Sequence, residues 1–244
     1  MAAAAMARKD RHSGERYALS ADVILRCLSG IYAIAFASFW VQLPGLYGSD
    51  GILPVNTLLR KVDHANLSNM ELFAKYPSLV VLSSKVGFDV DLAMDLSTLL
   101  GLCISVLSVR YGCGALAMFA QFFLYLGLYM VGETFLMFQW DSLLLEAGFA
   151  ATFLARPGLF RKWTQAGDGN EPPMSALLLL RFVLFKLMFM SGVVKIQADC
   201  PTWQNLTACH YHFATQCIPT PLAWYFHQLP STVLKLFVAG TLWI

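Results

Sequence analysis

Residues able to do chemistry gather in one stretch, Ala198–Pro230, which reads ADCPTWQNLTACHYHFATQCIPTPLAWYFHQLP. It carries three of the six cysteines (Cys200, Cys209 and Cys217), the pair His210 and His212, and the sequon Asn205-Leu206-Thr207. It contains no Lys or Arg, although the apolar run before it holds Arg181, Lys186 and Lys195. A segment without positive charge that offers cysteines and a glycosylation acceptor between apolar runs belongs on the non-cytoplasmic side of a membrane. An oxidising lumen there permits one disulfide and leaves one thiol over. Cys200–Cys217 encloses the segment and is the preferred pairing, with Cys200–Cys209 the alternative. Cysteine spacings of nine and eight residues do not match a zinc knuckle. His210-x-His212 has no obvious further ligands beyond Cys209 and Cys217, so neither a metal nor a cofactor is expected.

A second set of reactive groups lies inside apolar runs. Glu146, with Gln139 and Asp141, falls in the run Thr134–Ala155; Asp95 falls one turn into Leu92–Val109; Arg181, Lys186 and Lys195 fall in Ser175–Ile196. An ionisable group at the centre of a span costs at least about 2.5–3.5 kcal/mol, so such groups face a partner or a cavity. At about 1.5 Å per residue, Glu146 and Lys186 come to matching depths on consecutive antiparallel spans, which predicts an intramembrane Glu146–Lys186 pair. Structurally, that pair locks helix to helix. Functionally, a buried Lys with a lowered pKa can serve as a general base, so acid–base chemistry stays open. Asp141-Ser142 offers a hydroxyl, but no His lies at a comparable depth to activate it.

The elements that position these groups follow from composition. The chain is 57% hydrophobic and 13% charged, against about a quarter charged in soluble domains. The apolar residues are concentrated in separate runs, the signature of a polytopic membrane protein. The predicted fold class is an all-α transmembrane helical bundle of five spans plus a sixth cut short. The spans are about Val23–Leu43, Leu92–Val109, Cys113–Val131, Thr134–Ala155 and Ser175–Ile196, with Ser231–Ile244 as the incomplete last run. Residues 1–22 form a tail and 23–244 the membrane domain. Pro44-Gly45 is expected to end the first span, and Thr57–Asp63 and Met70–Tyr76 to form short interfacial helices. Gly101, Gly112, Gly114 and Gly127 are read as sites of close helix approach. Trp140, Trp203, Trp224, Tyr211 and Tyr225 suit an aromatic belt. A net charge of +2, with no basic stretch interleaved with aromatics, points away from nucleic acid. No inverted repeats suggest a transporter.

Charge bias orients the bundle. With the N-terminus cytoplasmic, residues 1–22, 110–112 and the loop 156–174 hold eight Lys/Arg, whereas the long loop 44–91 on the other side holds four. The same arrangement puts both sequons, at Asn66 and Asn205, in the lumen, separated by an even number of spans.

Several motifs resemble the lipase maturation factor family: GLYGSDGILP (45–54), FQWDSLLLEAGF (138–149), the span from Arg181 through Lys186 to SGVVKI (191–196), DCPTWQNLT (199–207) and YHFATQCIPTPLAWYFH (211–227). The likeness covers most of residues 21–244 and looks nearer the second paralogous branch than the first. It implies a multi-pass protein of the endoplasmic-reticulum membrane, not an enzyme, that helps secreted dimeric lipases such as lipoprotein lipase fold and leave the compartment. The expected partners are those lipases in the lumen and the lipid bilayer. The partner-facing residues would be Trp203, Tyr211, His212, Thr215, Gln216, Pro219 and Pro221. The family pattern continues past residue 244 into further spans and a large lumenal domain, and Ala214 stands where that pattern has an acidic residue. The spans also look distantly similar to the membrane domain of the vitamin K-dependent carboxylase. That implies the alternative of an integral-membrane enzyme using Lys186 or Lys195 as its base.

Overall fold

Apolar side chains on the first helix fall into two sets. Ala21, Leu25, Leu28, Tyr32, Phe36, Phe39 and Leu43 recur every three or four residues and are buried, while Ile31, Ile34 and Val41 between them are exposed. That spacing is one stripe of a 3.6-residue helix, and the stripe is the face on which neighbouring helices pack. The computed structural model describes residues 2–64, 69–162, 171–216 and 220–243. These hold thirteen helices and no strand, so the all-α expectation is borne out. In chain order they are α1 (Ala2–Leu46), α2 (Val55–His64), α3 (Asn69–Lys75), α4 (Leu79–Lys85), α5 (Val90–Tyr111), α6 (Ala115–Val131), α7 (Glu133–Leu136) and α8 (Gln139–Leu154). There follow α9 (Met174–Gln197), α10 (Pro201–Gln204), α11 (Ala208–Ala214), α12 (Pro221–His227) and α13 (Ser231–Trp243). Among the described residues three stretches are long and apolar enough to cross a membrane: Tyr17–Leu46, Val90–Tyr111 and Met174–Gln197. Ala115–Val131 and Ser231–Leu242 are shorter apolar helices. The chain divides into two compact units, residues 1–180 and 181–244.

In the first unit α1 packs along α5, α5 along α6, and α6 along α8. The reversal between α5 and α6 uses Gly112 at φ 97°, a backbone region that costs glycine little. The first N–H groups of α6 have no partner within their own helix. Those of Gly114, Ala115 and Leu116 donate instead to the carbonyls of Leu159, Arg156 and Gly158, at 2.9, 2.8 and 3.1 Å. Arg26 ties α1 to the same end of that hairpin. Its Nε pairs with Asp22 at 2.6 Å, and its Nη1 donates to the Val109 carbonyl at 2.9 Å. A cation there also suits the negative end of α5.

Further polar links between elements come from tyrosines. Tyr32 donates to the Leu144 carbonyl at 3.0 Å, Tyr47 to the Gly132 carbonyl at 2.8 Å, and Tyr125 to Asp141 Oδ1 at 2.6 Å. The Tyr125 ring meets Tyr32 and Phe36 edge-on, with centroids 5.8 and 5.6 Å apart. Such contacts need close approach. Phe36 lies against the bare Cα of Gly101, and the Tyr32 hydroxyl lies against Gly148.

Several sequence expectations are refined. Residues read as a tail continue α1 back to Ala2, consistent with the helix propensity of the alanine run. Pro44 lies inside α1, which ends two residues later. The short helices expected near Thr57–Asp63 and Met70–Tyr76 are α2 and α3; α4 was not foreseen. Leu58, Leu59, Leu72, Val80 and Val81 from these helices are buried in the first unit's core. The fourth run is not one helix: Phe138 is extended (φ −93°, ψ 158°), and the chain breaks between α7 and α8.

Alanine at position 148 would collide with the Tyr32 hydroxyl, whereas a Cβ at Gly45 meets nothing nearby. Gly148→Ala is therefore expected to destabilise the chain by about 1–3 kcal/mol, and Gly45→Ala to leave it unchanged or slightly more stable. Thermal unfolding in detergent, followed by circular dichroism, checks the contrast.

Candidate functional site

The Ala198–Pro230 stretch lies within the second unit and folds as three short helices followed by the start of α13. Proline occupies the first turn of α10 and again of α12, where its missing N–H costs no hydrogen bond. Between α10 and α11, Leu206 takes φ 57° and the Thr207 N–H donates to the Thr202 carbonyl at 2.8 Å. The sequon thus lies on a tight turn, and Asn205 is exposed.

Aromatic packing holds α11, α12 and α13 together. Phe213 stacks on Phe226 with centroids 5.8 Å apart, and Phe226 meets Phe237 edge-on at 6.3 Å. Ala208, Ala223, Leu234 and Val238 are buried beneath them. On the outside, Tyr211, Leu222, Trp224 and Tyr225 are each about three-fifths exposed. A hollow of about 440 Å³ opens among Phe213, Pro221, Trp224 and His227. The Nδ1 of His227 has no hydrogen-bond partner among the described residues. An exposed aromatic surface beside an open hollow can hold apolar side chains of another molecule.

The residues singled out from sequence divide into groups. Tyr211, His212, Thr215 and Gln216 come together at the end of α11. The Thr215 hydroxyl donates to the Tyr211 carbonyl at 2.8 Å, and Gln216 Nε2 lies 2.9 Å from His212 Nε2. Pro221 lines the hollow. Trp203 is elsewhere, half-buried under the Lys195 ammonium at 5.2 Å from its ring centroid. Lys195 also donates to the Thr241 carbonyl at 3.1 Å, capping the last turn of α13. Pro219, Cys217 and Asn66 lie outside the described residues, so the Cys200–Cys217 pairing does too. Cys200 and Cys209 are not bridged to each other. Glu146 is half-buried on α8 in the first unit, and Lys186 is exposed on α9 in the second. Among the described residues no three His, Cys, Asp or Glu gather as metal ligands do. Phe213, Phe226 and Phe237 went unnoticed in the sequence, where nothing distinguishes them from span-filling phenylalanines.

The lipase maturation factor transmembrane domain matches residues 19–244. The chain belongs to the lipase maturation factor family. Lipase maturation factor 2 of Xenopus laevis is 43% identical over 228 residues, covering 93% of this chain and 32% of the relative. Its counterpart in Gallus gallus is 44% identical over 224 residues, covering 90% and 30%. Human lipase maturation factor 1 is 32% identical over 224 residues, covering 90% and 38%. The likeness is therefore greater to factor 2 than to factor 1, as the motifs suggested. The chain spans about a third of the length of the factor 2 relatives it matches. No solved structure matches it.

Two thiols differ in their surroundings. The Thr202 hydroxyl, 3.0 Å from Cys200 Sγ, holds the Cys200 thiol below its ordinary pKa, whereas burial pushes Cys209 up. At any pH between the two values Cys200 carries more thiolate, the reactive form. In the reduced protein Cys200 is expected to alkylate at lower pH than Cys209, with Thr202→Val narrowing the gap. Iodoacetamide labelling across pH 6–10, read by peptide mass spectrometry, gives the two midpoints.

Proposed function

We propose that the chain is the membrane-embedded part of a factor of the endoplasmic reticulum that helps secreted lipases, lipoprotein lipase among them, reach an active folded state. The observation that carries this is the match to the lipase maturation factor transmembrane domain across residues 19–244. The N-terminus faces the cytoplasm in this proposal, which agrees with the charge bias and gives Asn66 and Asn205 lumenal positions. The segments 44–91 and 198–230 then face the client. The exposed Tyr211, Leu222, Trp224 and Tyr225 supply apolar contact of the kind an unassembled client offers in return. The part played is assistance rather than catalysis. Lys195, a base in the carboxylase-like alternative, is engaged by the Thr241 carbonyl and the Trp203 ring.

The test is secretion of active lipoprotein lipase from cells lacking maturation factors, with the 244-residue chain or a C-terminally extended version supplied. Glycosidase-sensitive glycans at Asn66 and Asn205 report insertion. Rescue by either version supports the function, and rescue by the short chain assigns client handling to the membrane domain. Replacing Thr215–Pro221 with a Gly/Ser linker should then lower active lipase several-fold at unchanged insertion. If neither version rescues while both insert and are glycosylated, the proposal fails.

The Glu146–Lys186 pair is proposed on the depth argument alone. Glu146→Lys and Lys186→Glu are each expected to lower the yield of folded chain, and the double exchange to restore most of it. Failure of the double exchange to improve on either single variant would remove the pair.

A further inference from the structure

Beside the Tyr125–Asp141 bond, the first unit carries a hollow of about 390 Å³ formed by α1, the α7–α8 turn and α8. Its lining is mainly aliphatic and aromatic, with Ile34, Phe39, Phe135 and Trp140 among its residues, and it includes Tyr125 and Asp141. Among the described residues no Lys, Arg or His lines it. Asp141 is only 6% exposed. Its Oδ1 accepts from the Tyr125 hydroxyl, and its Oδ2 has no hydrogen-bond partner among the described residues. A buried carboxyl oxygen left without a partner is costly, so an occupant that supplies one is favoured. Ile34 and Trp140, at 72% and 65% exposed, form part of the outer lining. Ile34 belongs to a helix long and apolar enough to cross a membrane, so the hollow is within reach of lipid.

We propose that this hollow binds a neutral lipid whose apolar body lies along Ile34, Phe39 and Phe135 and whose free hydroxyl meets Asp141. Three observations select that class. With no cationic side chain in the lining, nothing neutralises a phosphate or a free fatty-acid carboxylate. The volume sits near the lower end of the ~300–1,000 Å³ range of small-molecule pockets, which suits one acyl chain or one sterol body better than a two-chain phospholipid. A hydroxyl both donates and accepts, so it satisfies Asp141 whether the carboxyl is ionised or protonated. The inference stands apart from lipase maturation and needs no client.

The experiment uses the full chain in nanodiscs with two photoactivatable probes, a 1-monoacylglycerol bearing a mid-chain diazirine and its analogue with both hydroxyls methylated. The free-hydroxyl probe is expected to crosslink within residues 31–47 and 135–144. The methylated probe should label them about tenfold less, the loss expected of one hydrogen bond. Asp141→Leu should give the same loss, and Ala35→Trp, which fills the hollow, should abolish labelling by both. The comparison of probes on the unaltered chain does not depend on any variant folding. Equal labelling by the two probes, or crosslinks spread evenly over the outer faces of α5 and α6, overturns the proposal. Competition by unlabelled monoacylglycerol or by cholesterol distinguishes acyl from sterol occupants and upholds the hydroxyl contact either way; competition by neither overturns it.

Discussion

Three tyrosine hydroxyls hold the first unit to one arrangement. Tyr32, Tyr47 and Tyr125 each reach out of their own element to a carbonyl or carboxyl on another. In a bilayer core water does not stand in for a lost partner, so a hydroxyl displaced from its acceptor has few alternatives. The net gain of each bond is modest, around 0.6 kcal/mol on average for side-chain bonds measured within membranes. Their weight lies in geometry: each is made only when the backbones approach closely. Gly101 and Gly148 permit that approach, and the stacked and edge-on contacts of Tyr32, Phe36 and Tyr125 fill the space it leaves. The same network sets Asp141 into the wall of the adjoining hollow.

The second unit is built on a different economy. Phenylalanines join its short helices, and the larger aromatics point outward. Of its cations, Lys195 is engaged by a helix end and an indole ring, while Arg181, Lys186 and Lys235 are exposed on α9 and α13. Around α11 and α12 the surface is apolar with scattered hydroxyl, amide and imidazole groups. Such a surface is adaptable and suits transient contact with many apolar sequences better than discrimination of one small molecule.

Much of the fold was legible because hydropathy follows the long apolar helices directly. The runs at Val23–Leu43, Leu92–Val109, Cys113–Val131 and Ser175–Ile196 each lie within or closely around a helix. The break at Met137–Phe138 was not legible, since Thr134–Phe138 is apolar and its backbone turn leaves no compositional mark. Asp141 stood in the sequence only as one more charge in an apolar run; it is a buried acceptor for Tyr125, because hydropathy values a residue without knowing its partner. The exposed surface at the end of α11 stood out through its setting without Lys or Arg and its sequon. The phenylalanine packing that shapes it did not, because a Phe in a segment between spans and a Phe in a span have the same hydropathy.

The carbonyls of Arg156, Gly158 and Leu159 that cap the start of α6 have a temporal consequence. The ribosome delivers α6 well before it delivers its caps, so the nascent hairpin of α5 and α6 emerges with its first-turn donors open. They close only once α8 has been made and the chain has turned back beneath it. Water serves those donors at the membrane surface until then, so this end of the hairpin is the last part of it to close.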